Sequence, residues 1–141
     1  EKWYINTNQT FAFTDGVVTA SYGTATAKSH ADSLWTQQDS DDGNLPSDKS
    51  VGDVRGEGLK TTLIRTLKSQ VAGILKNTDW YITRNSAIST HRDAVRTKQA
   101  SMEAQITGAA DTAALETLYT FTEQEDGSVT RPLGELPILE S

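Results

Sequence analysis

The chain has 141 residues, 35% of them apolar, no cysteine and a formal net charge of −6. Without cysteine there is no disulfide framework and no thiolate metal site. No apolar run approaches the roughly 18 residues of a membrane span, and the N-terminus lacks a signal-peptide pattern. These totals predict one domain with a thin core, in which a partner completes some segments. The simplest placement is the cytoplasm or a particle assembled there. Asn8-Gln9-Thr10 matches a glycosylation acceptor, but nothing else in the chain points to secretion.

The layout of charge says more than its sum. Residues 1–57 carry 4 Lys/Arg against 9 Asp/Glu, residues 58–107 carry 8 against 3, and residues 108–141 carry 1 against 7. A basic centre thus lies between acidic flanks, to be satisfied internally, by solvent or by neighbouring copies. Such flanks would repel phosphates, which argues against nucleic acid as a partner.

Trp3-Tyr-Ile5 and Thr10-Phe-Ala-Phe-Thr14 read as extended segments. Asp15-Gly16 before Val17-Val18-Thr19 is a strong hairpin signal, because both central residues of a type I′ turn need positive φ. Phe11 and Phe13 share a strand face, and Tyr22–Ala27 extends the meander. Two or three strands alone are marginal in water, so the ribbon must pack on the helices or on another protein. Ala31–Trp35 is ambiguous between a helical turn and a strand end. Residues 36–58, with Asp39, Asp41, Asp42 and several glycines, read as a long loop of the kind that carries function or moves. An EF-hand register through Gly43 would run from Gln38 to Lys49 and lacks the acids at both ends. Gly56-Glu-Gly58-Leu-Lys60-Thr61 fails as a P-loop because Leu59 stands where Gly must precede Lys.

From Leu59 onward apolar residues fall at 59, 63, 67, 71, 74 and 75, with Ile64 beside them, the pattern of an amphipathic helix. It is predicted to end near Asn77, with Thr78 or Asp79 capping a short turn that holds Trp80 and Tyr81. Thr90-His-Arg-Asp93 has the form of a capping box for the next helix, with His91 in its first turn facing solvent. Val95, Met102 and Ile106 line one face, and Gly108 ends it. Asp111 caps a last helix with Leu115 and Leu118 inward. A second hairpin is expected across Glu125-Asp126-Gly127. The segment from Arg131 is an extended tail, since each Pro biases its neighbour away from helix. Its aliphatics Leu133, Leu136, Ile138 and Leu139 either fold back on the core or dock on a neighbouring subunit. The fold class is therefore α+β: an N-terminal β-ribbon or meander (1–57), a central antiparallel helical hairpin (58–119), and a C-terminal β-hairpin with an extended arm (120–141).

No catalytic constellation is legible. His30 and His91 lack further metal-type ligands at helical spacing, and zinc takes three or four. Lys28-Ser29-His30-Ala31-Asp32 contains triad residue types, but triad partners converge in space rather than in sequence. An enzyme would need a site assembled from His30, the acidic loop and His91. No catalytic residue, metal or cofactor is assigned. Trp80 reads as a core plug between helices; with Tyr81 and Arg84 it is also of the residue types enriched in binding hot spots.

One stretch carries a resemblance. Leu75-Lys-Asn-Thr78-Asp79-Trp80-Tyr81-Ile-Thr-Arg84, followed by His91-Arg92-Asp-Ala-Val-Arg96, resembles the helical segment of tailed-bacteriophage tail fibre assembly or tail assembly chaperone proteins and related small virion proteins. It covers residues 59–107. The chain departs from the family in the connector Asn85–Thr90, which is shorter and lacks the usual acidic residue and Pro, and in residues 1–57, which match no such chaperone. The resemblance implies a non-enzymatic virion structural component or tail fibre assembly factor. Its partners would be other phage tail or fibre proteins, with a possible homo-oligomer through the C-terminal arm and neither nucleic acid nor membrane. Its place would be the virion tail, assembled in the host cytoplasm. Trp80, Tyr81, Arg84, Leu133, Leu136, Ile138 and Leu139 are the candidate interaction residues. The alternative is a phage-encoded or cellular binding module acting on a host protein.

Overall fold

The computed structural model describes residues 2–79 and 86–139. It is α+β, with strands paired in hairpins at both ends and helices between them. The ribbon forms as the Asp-Gly signal dictates. β2 (Thr10–Thr14) pairs antiparallel with β3 (Val17–Ser21) around Asp15 and Gly16, at φ 53° and 81°. The expected meander does not form. β4 (Thr24–Ala27) continues the return strand beyond β3 and pairs with β1 (Tyr4–Thr7). The register Tyr4↔Ala27 to Thr7↔Thr24 continues unbroken as Thr10↔Ser21 to Thr14↔Val17. The region is thus a single long hairpin interrupted once, where Asn8 (φ 57°) and Gly23 (φ 70°) both turn left-handed. A Cβ at Gly23 would lie 2.0 Å from the Thr7 carbonyl oxygen, so only glycine fits the crossing.

The stretch expected as an unstructured loop has its own architecture. Ser33–Leu34 (β5) pairs with Val54–Gly56 (β6), which settles the ambiguity at Ala31–Trp35 in favour of a strand. Between them, α1 (Gln37–Asp41) is held by a capping box. Asp39 N–H donates to the Thr36 hydroxyl (3.2 Å), and Thr36 N–H donates to the Asp39 carboxylate (2.9 Å).

α2 (Leu59–Thr78) and α3 (Ser86–Gly108) run antiparallel. Lys60 Nζ donates to the Thr107 carbonyl at one end, and Arg92 donates to the Leu75 carbonyl at the other. Leu63, Leu67 and Val71 recur every four residues and bury one stripe of α2. From α3 come Val95, Met102 and Ile106, with Ile88 also buried. Ile88 extends the seven-residue spacing of Val95 and Met102 upstream, and this explains why α3 starts at Ser86 rather than Thr90. The Thr90–Asp93 capping box does not form; Asp93 pairs with Arg96 instead (3.0 Å). His91 accordingly sits half-buried inside the helix, not in its first turn facing solvent. α4 (Thr112–Tyr119) begins where expected, with Asp111 accepting from Ala114 N–H (2.8 Å). It buries Leu115 completely. β7 (Thr122–Glu123) and β8 (Val129–Thr130) close the second hairpin.

Two long-range contacts hold these parts together. α2 starts at Gly58, which has no capping side chain. Its first N–H groups are instead satisfied from residues 29–32: Gly58 by the Asp32 carboxylate (2.6 Å), Leu59 by the Ser29 carbonyl and Lys60 by the His30 carbonyl. A Cβ at Gly58 would lie 2.4 Å from the Ala31 backbone. At the far end Thr78 does not cap a following turn. It closes α2, donating to the Leu75 carbonyl (3.0 Å) and accepting from Arg92 Nη1 (2.9 Å), with Asp79 as C-cap. Leu133 of the tail is fully buried in the helical core, and Trp3 packs against that core. The boundaries near 57 and 119 therefore mark changes of element type within one shared core.

Candidate interaction surfaces

Three features face solvent with chemistry that burial would reward. The first is the outer ribbon. From Asn8 through Ala27 every residue is exposed. Phe11 opposes Ala20 and Phe13 opposes Val18 across β2 and β3, so these four share one face. Phe11, Phe13 and Val18 are 71%, 73% and 65% exposed. The other face carries Thr10, Ala12, Thr14, Val17, Thr19 and Ser21. Asp15, at the tip, is the only charge between Trp3 and Lys28. Native sheets blunt their free edges with charges, Pro or coverage. This arm has none of those along its length, and a lone hairpin is marginal in water.

The base of the ribbon, by contrast, is fixed. The rings of Trp3 and Tyr119 pack with centroids 5.6 Å apart at 56°. Tyr4 donates to Glu116 (3.0 Å), and the bond to that carboxylate, followed by burial, raises its phenol pKa. Lys2 lies over both Trp3 and Tyr119, 4.5 and 4.0 Å from the ring centres, and Arg131 lies 5.4 Å from the Tyr119 centre. Burial first, and then the Arg131 charge, lower the Lys2 pKa.

The second feature is a groove of about 890 Å³ beside this cluster. Leu59, Leu63 and Leu67 of α2 and Met102 of α3 line its apolar side, and its charged lining is Lys2, Lys28 and Arg131 with Glu57. Nothing local in the sequence marks it, because its walls come from three separate regions of the chain.

The third is the C-terminal arm. The four aliphatics expected to act together divide. Leu133 is in the protein's own core, with its N–H donating to the Leu118 carbonyl (3.1 Å), and so is corrected from an interaction residue to a core residue. Leu136 packs half-buried against that core. Ile138 and Leu139 remain exposed, at 87% and 44%. The tail thus folds back on its own core through Leu133 and Leu136, while Ile138 and Leu139 stay in solvent. Trp80, Tyr81 and Arg84 lie outside the described residues. The neighbouring signature residues are structural: Arg92 is buried, donates to the Leu75 carbonyl (2.5 Å) and Thr78, and pairs with Asp79 (2.8 Å). It satisfies the last carbonyls of α2 and complements the negative end of its dipole.

Among the described residues, no group of three or more His, Asp or Glu could hold a metal ion, and no helix is long and apolar enough to cross a membrane. No protein-family model, curated protein or solved structure matches the chain.

Proposed function

We propose that this chain is a non-enzymatic tail protein of a tailed bacteriophage. It acts through protein–protein contacts, either as a structural part of the virion tail or as a factor assisting tail fibre assembly. The observation that carries the reading is the β2–β3 arm, whose strands carry no charge and hold Phe11, Phe13 and Val18 in solvent while the helices already have a closed core. A hairpin of this kind gains order when another protein covers its face or extends its edge. The resemblance of residues 59–107 to tail assembly proteins supplies the context, and other tail or fibre proteins are the partners it implies. The reading requires no cofactor, nucleic acid or membrane.

Mass spectrometry of purified particles tests it. Stoichiometric presence identifies a structural part. Absence from particles, with rescue of soluble fibre on co-expression, identifies an assembly factor. Failure of both, with one specific host protein recovered by pull-down, would replace this reading with a binding module acting on the host.

A further inference from the structure

We infer that the groove beside Tyr119 receives the C-terminal arm of a second copy of the chain, with its exposed Ile138 and Leu139 on the apolar side and its acidic residues toward the cationic rim. The chain's own arm is directed elsewhere. A turn closed by Gly134 N–H on the Arg131 carbonyl (2.9 Å), with Gly134 at φ 74°, sets Gly134 against the Lys98 side chain of α3 at the start of the arm. Neither Ile138 nor Leu139 lines the groove of its own copy. The arm therefore leaves two aliphatics in water next to an apolar groove that they do not fill.

Charge selects the occupant. Three cations, Lys2, Lys28 and Arg131, line the groove against one carboxylate, Glu57, which Arg65 already holds, whereas the sequence after Arg131 carries Glu135 and Glu140 and no base. Arg131 already holds its own Glu135 (2.7 Å). Lys2 pairs with no carboxylate among the described residues and is crowded by Arg131, so an incoming carboxylate relieves a like-charge contact. Size also agrees: about 890 Å³ lies in the range of roughly 300–1,000 Å³ in which small ligands are enclosed. Geometry agrees as well. Leu133 both lines the groove and begins the arm, so donor and acceptor adjoin on one face, as a twofold exchange requires. From Gly134 to Leu139 the chain can reach about 20 Å at ~3.3 Å per residue.

Sedimentation velocity and native mass spectrometry of the purified chain test this independently of any role in a tail. The intact chain should form dimers at low micromolar concentration. Ile138→Ser with Leu139→Ser should weaken the dimer at least tenfold, and so should Lys2→Glu with Lys28→Glu. Adding Glu140→Lys to the latter pair should restore it. Lys2, Ile138 and Leu139 are exposed and Lys28 is half-buried, so a helical melting curve close to that of the parent confirms that the fold persists. A photo-cross-linker at position 138, in a mixture of heavy- and light-isotope copies, should join one copy to residues 59–67 of the other. A chain that stays monomeric throughout, a dimer indifferent to both variants, or cross-links confined to one copy would overturn the inference.

Discussion

The helical body and the β2–β3 arm are both rich in apolar residues but use them in opposite ways. In α2, α3 and α4 the apolar side chains point at one another, and Val95, Ile106 and Leu115 have no measurable exposure. In the arm, Phe11, Phe13 and Val18 point at water. Burying a large apolar side chain is worth about 1.5–3 kcal/mol. The body has already collected that stabilisation; the arm has yet to. The body therefore supports the fold, and the arm is the part whose free energy changes most on contact with another protein.

Substitutions should separate the two regions sharply. Leu115→Ala opens a cavity in the fully buried core and should cost about 3 kcal/mol, within the 2–5 kcal/mol range of such changes, as read from the urea midpoint. Arg92→Ala removes the donor that closes α2 and should cost about 2 kcal/mol, as for hydrogen bonds made by a charged group. Arg92→Lys should recover little of this, because an ammonium cannot reproduce the planar fork. A core indifferent to Arg92 would mean that α2 and α3 are not locked at that end.

Acid should act through Asp32 next. The Gly58 N–H, then the Thr61 hydroxyl, hold its carboxyl pKa below the usual value. A depressed folded-state pKa gives stability that is fully present above the unfolded value, near 3.9, and lost as pH falls through the lower folded value. Melting temperature should therefore drop over that acidic window, and Asp32→Asn should flatten the drop. The smallest effect on stability is expected in the arm. Phe11→Ser with Phe13→Ser should change the stability of the isolated chain by no more than about 0.5 kcal/mol yet abolish its incorporation into particles or its rescue of fibre. A large loss of stability instead would show that the arm packs on its own body.

Much of the body was legible in the sequence because its signals are local. The four-residue spacing of Leu63, Leu67 and Val71, the Asp111 cap and the Asp15-Gly16 turn each act over a few positions. What escaped was nonlocal. Asp32 caps a helix whose N-cap lies 26 residues later, Arg92 caps one that ended before α3 began, and β4 pairs with β1 across the whole β2–β3 hairpin instead of folding back on β3. The capping pattern at Thr90 predicts too late a start for α3, because four more residues of helix bury Ile88. In the candidate sites, Phe11 and Phe13 could be assigned to one strand face, but periodicity could not say whether the helices would cover it. The four aliphatics of the tail looked equivalent in the sequence; tertiary packing divided them into a core pair and an exposed pair.

Amide hydrogen exchange, followed for the free protein and for the protein assembled with its tail partners, tests the contrast most directly. The amides of residues 10–21 should exchange within seconds in the free chain, far ahead of those in α3, and become protected on assembly while α3 changes little. Arm amides as protected as α3 in the free chain, or left unprotected in the assembly, would contradict the account.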